Sequence, residues 1–459
     1  MQVIGLENRN IEATYPSGWL FVAILAAAIA LLGGVVTGDL MTFLDAVVIA
    51  MIGFIVVTNL GVWMSRPIDA QWLPGMIAAG YLAKILASVA RYLVLVIIYH
   101  GSGDAAGYHG SGVTLVEYWR SFQVPPGMTI GTGFVDGFTG LVYVPYVPQM
   151  LGGFFMYSTL AFFGQMLMYA AFRDSAKPRR LKWYSAAIFF IPAITYWPAS
   201  LGKESLMFLG IGLAVYGASL FMRHGGVLPL LYLGAGLAFA GAIRPHVSAL
   251  ILGAMATTLV IAKGKGGLGL PSFQRWTAVI VIGTASLGLV AFAASEFNIN
   301  LSGDIGSEVD EFVTNLEDNT AKGGSEVEGG AVSSPLDIPG AALRVLFRPL
   351  PYEAHNLQAM ASALESATIL LVFLWRSPKI LKNLRRSRDD PYVIMSVVMT
   401  FGFIIMFSPF LNLGLLARER SQILPFLAVM IVQLGWNFAK EDDQVEQPPS
   451  TTGRLQPIR

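Results

Sequence analysis

Long apolar runs separated by short polar stretches set the plan of this chain. Crossing the hydrocarbon core takes roughly 20 apolar residues in a helix. Twelve runs approach that length: about 17–36, 41–63, 74–100, 149–172, 183–201, 205–222, 226–243, 246–262, 275–295, 357–375, 391–410 and 421–438. The fifth and sixth runs are separated by very few residues, as are the seventh and eighth, so each pair is expected to form a tight helical hairpin. Two polar gaps are long, about 101–148 after the third run and 296–356 after the ninth. The expected fold is an all-α polytopic membrane protein of about twelve transmembrane helices. It forms a single transmembrane domain over 1–440, followed by a disordered tail at 441–459.

Composition points the same way. Hydrophobic residues make up 54% of the 459 and charged residues only 13%, with a mean hydropathy of +0.61, which excludes an ordinary soluble domain. The 49 glycines suit helices that approach one another closely in lipid. With no cysteine there is no disulfide, thiolate metal site or cysteine nucleophile, so any chemistry falls to carboxylates, His, Lys or Arg. The first run lacks a basic leader and is too long for the core of a cleaved signal, so it is expected to stay as the first span. No Walker loop, HExxH, convincing GxGxxG or nucleic-acid signature is present, and neither a metal nor a cofactor is expected.

Lysine and arginine accumulate in the short cytoplasmic loops of membrane proteins. Arg173, Lys177, Arg179, Arg180 and Lys182 crowd one gap, and Arg376, Lys379, Lys382, Arg385, Arg386 and Arg388 another. With both gaps inside, Arg66, Arg223 and the stretch 263–275 fall inside too, and both termini come out cytoplasmic. The extracytoplasmic face then receives 101–148, the turn Leu201–Glu204, the turn Arg244–His246, 296–356 and the loop Asn412–Arg420.

The densest chemistry on that face lies in Tyr196-Trp-Pro-Ala-Ser-Leu-Gly-Lys-Glu-Ser205. Ser200 or Ser205 as a cap, with Glu204 in the first helical turn, accounts for the acid. It does not account for Lys203, a cation at the positive end of a helix dipole, unless an anion such as phosphate sits there too. Arg244, next to Pro245 and His246, either snorkels to the interface or has an internal partner. In 101–148, Asp104 is either a local cap or a general base beside Tyr108 and His109, and Leu115–Phe122 suits a short interfacial helix.

Residues 296–341 hold ten acidic residues against one base, Lys322, and are expected to be a mobile cover or a disordered insertion and not a packed domain. After them Arg344 and Arg348, four apart, are expected to share a helical face turned toward the pocket, ahead of Pro349, Pro351, Glu353 and His355. Arg418 or Arg420 is expected to pair with Glu419 or with the acidic loop, and a surface pair of that sort contributes only about 0–1 kcal/mol. Within the spans, Lys84 and Arg91 are seven apart and share a face with Ser88. A charge at a helix centre costs about 2.5–3.5 kcal/mol on insertion scales, so they should pair internally, with Glu365 or Asp45, or line a polar channel.

Cations gathered at a membrane surface among helix ends and aromatics suit a lipid phosphate or pyrophosphate whose sugar projects into a cleft. The expected substrate-binding set is Lys203, Arg244, His246, Arg344, Arg348, Arg418 and Arg420, with Tyr108, His109 and Trp197 around the sugars and Lys84 and Arg91 behind. Asp104, Glu204, Glu353 and His355 are the candidates for taking the acceptor's proton. Glycosyl transfer needs little else from a protein than charge stabilisation on the leaving phosphate, orientation of two sugars and such a base.

Taken together, Asp-Ala-x-x-Tyr-His at 104–109, Trp-Pro-x-Ser-x-Gly-Lys-Glu at 197–204, Arg-Pro-His at 244–246 and Phe-Arg-Pro-x-Pro-x-Glu-x-His-Asn at 347–356 resemble the bacterial O-antigen and exopolysaccharide polymerases, the Wzy-like membrane glycosyltransferases. The resemblance implies a GT-C-related fold in the bacterial inner membrane. It also implies undecaprenyl-pyrophosphate-linked repeat units as substrate, the lipid bilayer and other polysaccharide-assembly proteins as partners, and no metal or nucleotide. The outer-loop arginines on which such polymerases rely map onto Arg244, Arg344 and Arg348. Two alternatives stay open: a GT-C transferase using a polyprenyl-phosphate monosaccharide, and a transporter or flippase of lipid-linked sugars.

Overall fold

The structure is a computed structural model, and it describes residues 40–436 apart from 69, 264–268, 297–304, 321–326 and 328. The expected first span, the tail and Lys322 lie outside the described residues. In chain order the helices are α1 (Leu40–Ser65), α2 (Leu73–Leu93), α3 (Asp104–Arg120), α4 (Thr132–Val142), α5 (Met150–Arg173), α6 (Pro178–Phe190), α7 (Pro192–Tyr196), α8 (Lys203–His224) and α9 (Val227–Gly241). They continue as α10 (Pro245–Ile261), α11 (Ser272–Glu296), α12 (Ile305–Thr320), α13 (Ile338–Phe347), α14 (Leu357–Asn383), α15 (Pro391–Phe407), α16 (Leu413–Arg420) and α17 (Leu424–Val429). The all-α class holds, with no strand among the described residues.

Six helices, α1, α2, α5, α8, α11 and α14, are long and apolar enough to cross a membrane, and α9, α10, α15 and the stretch from Leu424 to Leu434 are apolar but shorter. Their burial ranks them. About three quarters of the apolar window is buried in α5 and α8, 72% and 78%, against 6% in α11 and 11% in α14. The first pair forms the centre, and the second turns side chains such as Leu287, Leu371 and Trp375 outward, an apolar surface that needs an apolar surrounding. The centre is tight because small residues let backbones touch. A methyl group on Gly164 of α5 would lie 2.1 Å from the Phe208 carbonyl oxygen of α8, and one on Gly236 of α9 would lie 2.3 Å from the Ala214 nitrogen.

One expected span is two helices. Run 183–201 breaks at Ile191, where Pro192 supplies no N–H and turns the chain into the short α7. Three side chains from three other helices satisfy the exposed backbone. Gln165 Nε2 donates to the carbonyls of Ile188 (3.1 Å) and Ile194 (3.2 Å), Lys84 Nζ donates to Ile194 (3.0 Å), and the Ala193 N–H donates to Glu365 Oε1 (2.9 Å). Irregular backbone at membrane depth is tolerated only where protein or water satisfies it, so these polar residues and the break explain one another. The expected pairing of Lys84 with Glu365 or Asp45 is not found among the described residues, and the Ile194 carbonyl takes that place.

Two loops differ from expectation. The interfacial helix expected at Leu115–Phe122 is the longer α3, paired with a second helix, α4. The acidic gap, expected to be a mobile cover or a disordered insertion, carries α12 and a docked strap. The Thr320 hydroxyl accepts from the Leu411 N–H, the Val327 N–H donates to the Leu411 carbonyl, and Val332 N–H donates to Ser408 Oγ.

The basic gaps meet at one end of the bundle. Arg223 pairs with Asp390 at 2.9 Å, Ser175 donates to Asp390, Arg180 donates to Gln433, and Lys263 pairs with Asp389. At the opposite end lie the starts of α3, α8 and α10 and the end of α16.

Candidate functional site: a buried charge network at the start of α8

The turn into α8 is held from behind. Arg91 sits 5.2 Å from the ring centroids of both Tyr196 and Trp197, and its Nη2 donates to Ser200 Oγ at 3.1 Å. Ser200 and Ser205 bond to each other, the Ser205 hydroxyl donating to the Ser200 carbonyl at 2.6 Å, so neither supplies the expected helix cap. Gly202 precedes the helix instead, and α8 begins with Lys203 and Glu204 side by side.

Glu204 is almost wholly buried and collects two guanidinium groups. Its Oε1 accepts from Arg418 Nε at 2.6 Å and from Arg244 Nη2 at 3.1 Å. Arg244 also pairs through Nη1 with Glu419 Oε2, which accepts a further bond from Gln422 Nε2 at 2.8 Å. Arg418 reaches outward with both terminal nitrogens 3.4 Å from Asp104 Oδ2, and the Asp104 side chain is 66% exposed. Four chain segments far apart in sequence thus converge: the start of α3, the start of α8, the α9–α10 turn and α16. Arg418 stays charged at any accessible pH, its value raised chiefly by the Glu204 carboxylate. Burial, with Asp104 and Glu204 beside it, pushes the Tyr108 phenol up to about 12, so it remains a hydrogen-bond donor.

Lys203 stands apart within this network. Among the described residues no carboxylate lies within salt-bridge distance of its ammonium, although Glu204, Asp104 and Asp136 act on it electrostatically, as do Arg244 and Arg418. The ammonium lies beside Gly131, whose φ of +83° requires glycine and whose N–H donates to the Ala242 carbonyl at 2.9 Å. That bond, with Phe134 and Phe138 edge-on to Phe239, docks the α3–α4 hairpin against the α9–α10 turn.

The network brings together Asp104, Tyr108, Lys203, Glu204, Arg244 and Arg418 from the sequence-derived set. His246 is next in line, half-buried and edge-on to Phe407 at 6.2 Å. Trp197 and Arg91 support the turn. Lys84 lies deeper, wholly buried at the helix break. His109 turns away, its Nδ1 2.8 Å from the Tyr143 hydroxyl.

Arg344 and Arg348 do not share the expected face. Helix α13 ends at Phe347, so Arg348 is already extended and pairs with Glu353, while Arg344 donates to the carbonyls of Gly330 (2.6 Å) and Ser408 (2.8 Å). Arg420 is wholly buried and donates to the carbonyls of Leu346 and Arg348. These arginines, with Glu353, form a second cluster around α13. His355 follows in the same loop, before α14.

Sequence reasoning missed Glu419 and Gln422. Glu419 reads as a surface partner of its neighbours, yet it is 5% exposed and paired across the bundle. Its signal is weak: an acid between two arginines on an eight-residue helix.

Compared with known protein families, curated proteins and solved structures, the chain matches none.

The arrangement separates structural from free charge. Removing one member of a buried pair strands the other and costs about 3–5 kcal/mol. Glu204→Gln is therefore expected to lower the thermal midpoint of the purified protein in detergent sharply. Lys203→Ala, which breaks no ion pair among the described residues, is expected to stay within about 0.5 kcal/mol of the parent. Equal midpoints for Glu204→Gln and the parent would contradict the network.

Proposed function

We propose that the chain is a membrane glycosyltransferase of the polysaccharide-polymerase type, joining polyprenyl-pyrophosphate-linked sugar units at the extracytoplasmic face. The observation that carries this is Lys203, an ammonium at a helix start with no carboxylate in salt-bridge distance among the described residues, flanked by Arg244 and Arg418. A helix N-terminus and three cations suit phosphate oxygens. The long, exposed contact between Arg418 and Asp104 is the one an incoming phosphate most readily replaces. Asp104, released from Arg418, then becomes a carboxylate at the rim that takes the acceptor hydroxyl's proton as the sugar–phosphate bond breaks and the new glycosidic bond forms. Negative charge builds on the departing pyrophosphate, where Lys203 and Arg418 stabilise it.

In this reading the Lys203 end of the bundle faces out and the Arg180–Asp390 end faces the cytoplasm. All twelve apolar runs cross the membrane or enter it deeply. The sugar donor could equally be a polyprenyl-phosphate monosaccharide, since one phosphate satisfies the same groups.

A second reading, a transporter of lipid-linked sugars, is favoured by the break between α6 and α7 and by the membrane-buried Lys84, Gln165 and Glu365 around it. Discontinuous helices of that kind surround substrate sites in many transporters.

Reconstitution with lipid-linked repeat units separates the two. Longer glycans are expected, and Lys203→Ala is expected to slow their formation about 10²–10³-fold, the usual effect of deleting one group that stabilises developing charge. Labelled lipid crossing between leaflets without chain extension would establish the transporter instead. Orientation has its own test, since the chain has no native cysteine. Phe122→Cys should react with an impermeant thiol reagent in whole cells, and Arg385→Cys only after lysis. The reverse pattern would turn the protein over and remove the site from the outer face.

A further inference from the structure

The charge network accounts for the phosphate end of a substrate and leaves an adjoining groove unused. This groove, about 420 Å³, lies between α3 and α4 and is lined by Gly110, Ser111, Thr114, Leu115, Pro126 and Asp136. Its volume falls within the range of small-ligand sites, about 300–1,000 Å³. It is more open than enclosed, so part of a longer chain can enter it.

Helix α3 joins groove and network. Asp104, Tyr108, Ser111 and Leu115 are spaced four, three and four residues apart, so they form one stripe along the helix. The stripe begins at the Asp104–Arg418 contact, passes the buried Tyr108 beside Glu204, and enters the groove at Ser111. Seven residues of helix carry it about 10 Å. From the other wall, Asp136 is close enough to Ser111 and Lys203 for both to act on its carboxyl. Burial raises that carboxyl above the ordinary aspartate value against those two influences.

The lining selects a class of ligand. Asp136 accepts hydrogen bonds from hydroxyls and repels anions, the Ser111 hydroxyl, which donates to Asp136, keeps lone pairs to accept one, and Leu115 and Pro126 offer apolar surface for a C–H face. The Thr114 hydroxyl donates to the Gly110 carbonyl at 3.1 Å and keeps lone pairs for a ligand. Gly110 is exposed at the groove's edge, where a methyl group built on it would meet nothing within 4 Å.

We propose that this groove is a glycan subsite. It holds an uncharged stretch of polysaccharide, through Asp136, Ser111 and the faces of Leu115 and Pro126, with the chain's reacting end directed toward Lys203. The assignment of that reacting end rests on the transferase reading above; the groove's affinity for a glycan does not.

The test measures binding directly. The surface polysaccharide of the cells that make this protein, cut to short oligosaccharides, is dialysed to equilibrium against the purified full chain. The parent is expected to bind. Gly110→Phe, whose Cβ meets no neighbour within 4 Å and whose ring occupies the groove side of α3, and Asp136→Asn, which removes the acceptor charge, should each weaken binding about tenfold or more at an unchanged thermal midpoint. No binding by the parent, or parent-like binding by both variants, overturns the proposal. If both variants lose binding while the parent fails to extend chains on reconstitution, the groove stands and the transferase reading falls. Chain extension by the parent, with groove variants that bind as the parent does, leaves the transferase standing and removes the groove.

Discussion

The Glu204 carboxylate, buried at the first turn of α8 and shared by Arg244 and Arg418, is the contact that holds the site together. Two guanidinium groups cannot be taken out of water together without an acid between them. Glu204 therefore fixes the distance between the α9–α10 turn and α16, and Glu419 closes the same frame from the other side. With those charges neutralised internally, Lys203 is left beside Glu204 as a cation the frame does not consume. Helix starts collect anions, and here the fold places an ammonium at one.

The frame is held in place by an irregularity in the backbone. The chain could run straight from Pro178 into the Lys203 turn, but Pro192 interrupts it, and Lys84, Gln165 and Glu365 arrive from α2, α5 and α14 to satisfy the freed backbone. Three polar residues from the long apolar helices thus lock the short α7, which leads into the Tyr196–Trp197 pair that grips Arg91. Breaking this arrangement would leave buried backbone groups without partners. The Lys203 turn is consequently supported from two directions, by the helix break below and the ion network above.

Much of this was legible in the sequence, and the parts that were not have physical reasons. Apolar runs located the long helices because a period of 3.6 and a length of roughly 20 residues leave few alternatives. Charge placement singled out Lys203, Glu204 and Arg244, because charges in very short turns between apolar runs demand partners, and it put Asp104 and Arg418 in the neighbouring loops on the same face. Which partner each would find was not legible. Arg344 and Arg348 look equivalent on a helical wheel, but α13 stops between them, so one bonds to carbonyls and the other to Glu353. Glu419 looked like a surface acid because burial of an eight-residue helix depends on packing, not on its own pattern. Asp136 is one of four charges in 101–148 with nothing in the sequence to set it apart, because Ser111, which bonds to it, comes from α3 opposite. The break at Pro192 was hidden inside an apolar run whose hydropathy does not register a missing N–H.

The transferase reading turns on the Lys203 end of the bundle being an oxyanion site. Calorimetric titration of inorganic pyrophosphate into the purified protein, with the parent set against Lys203→Ala at two salt concentrations, measures that property alone. Saturable binding by the parent that weakens with salt is expected, with a loss of about tenfold or more in the variant. Equal binding by both proteins, or none by the parent at either salt concentration, would show that the site is not there.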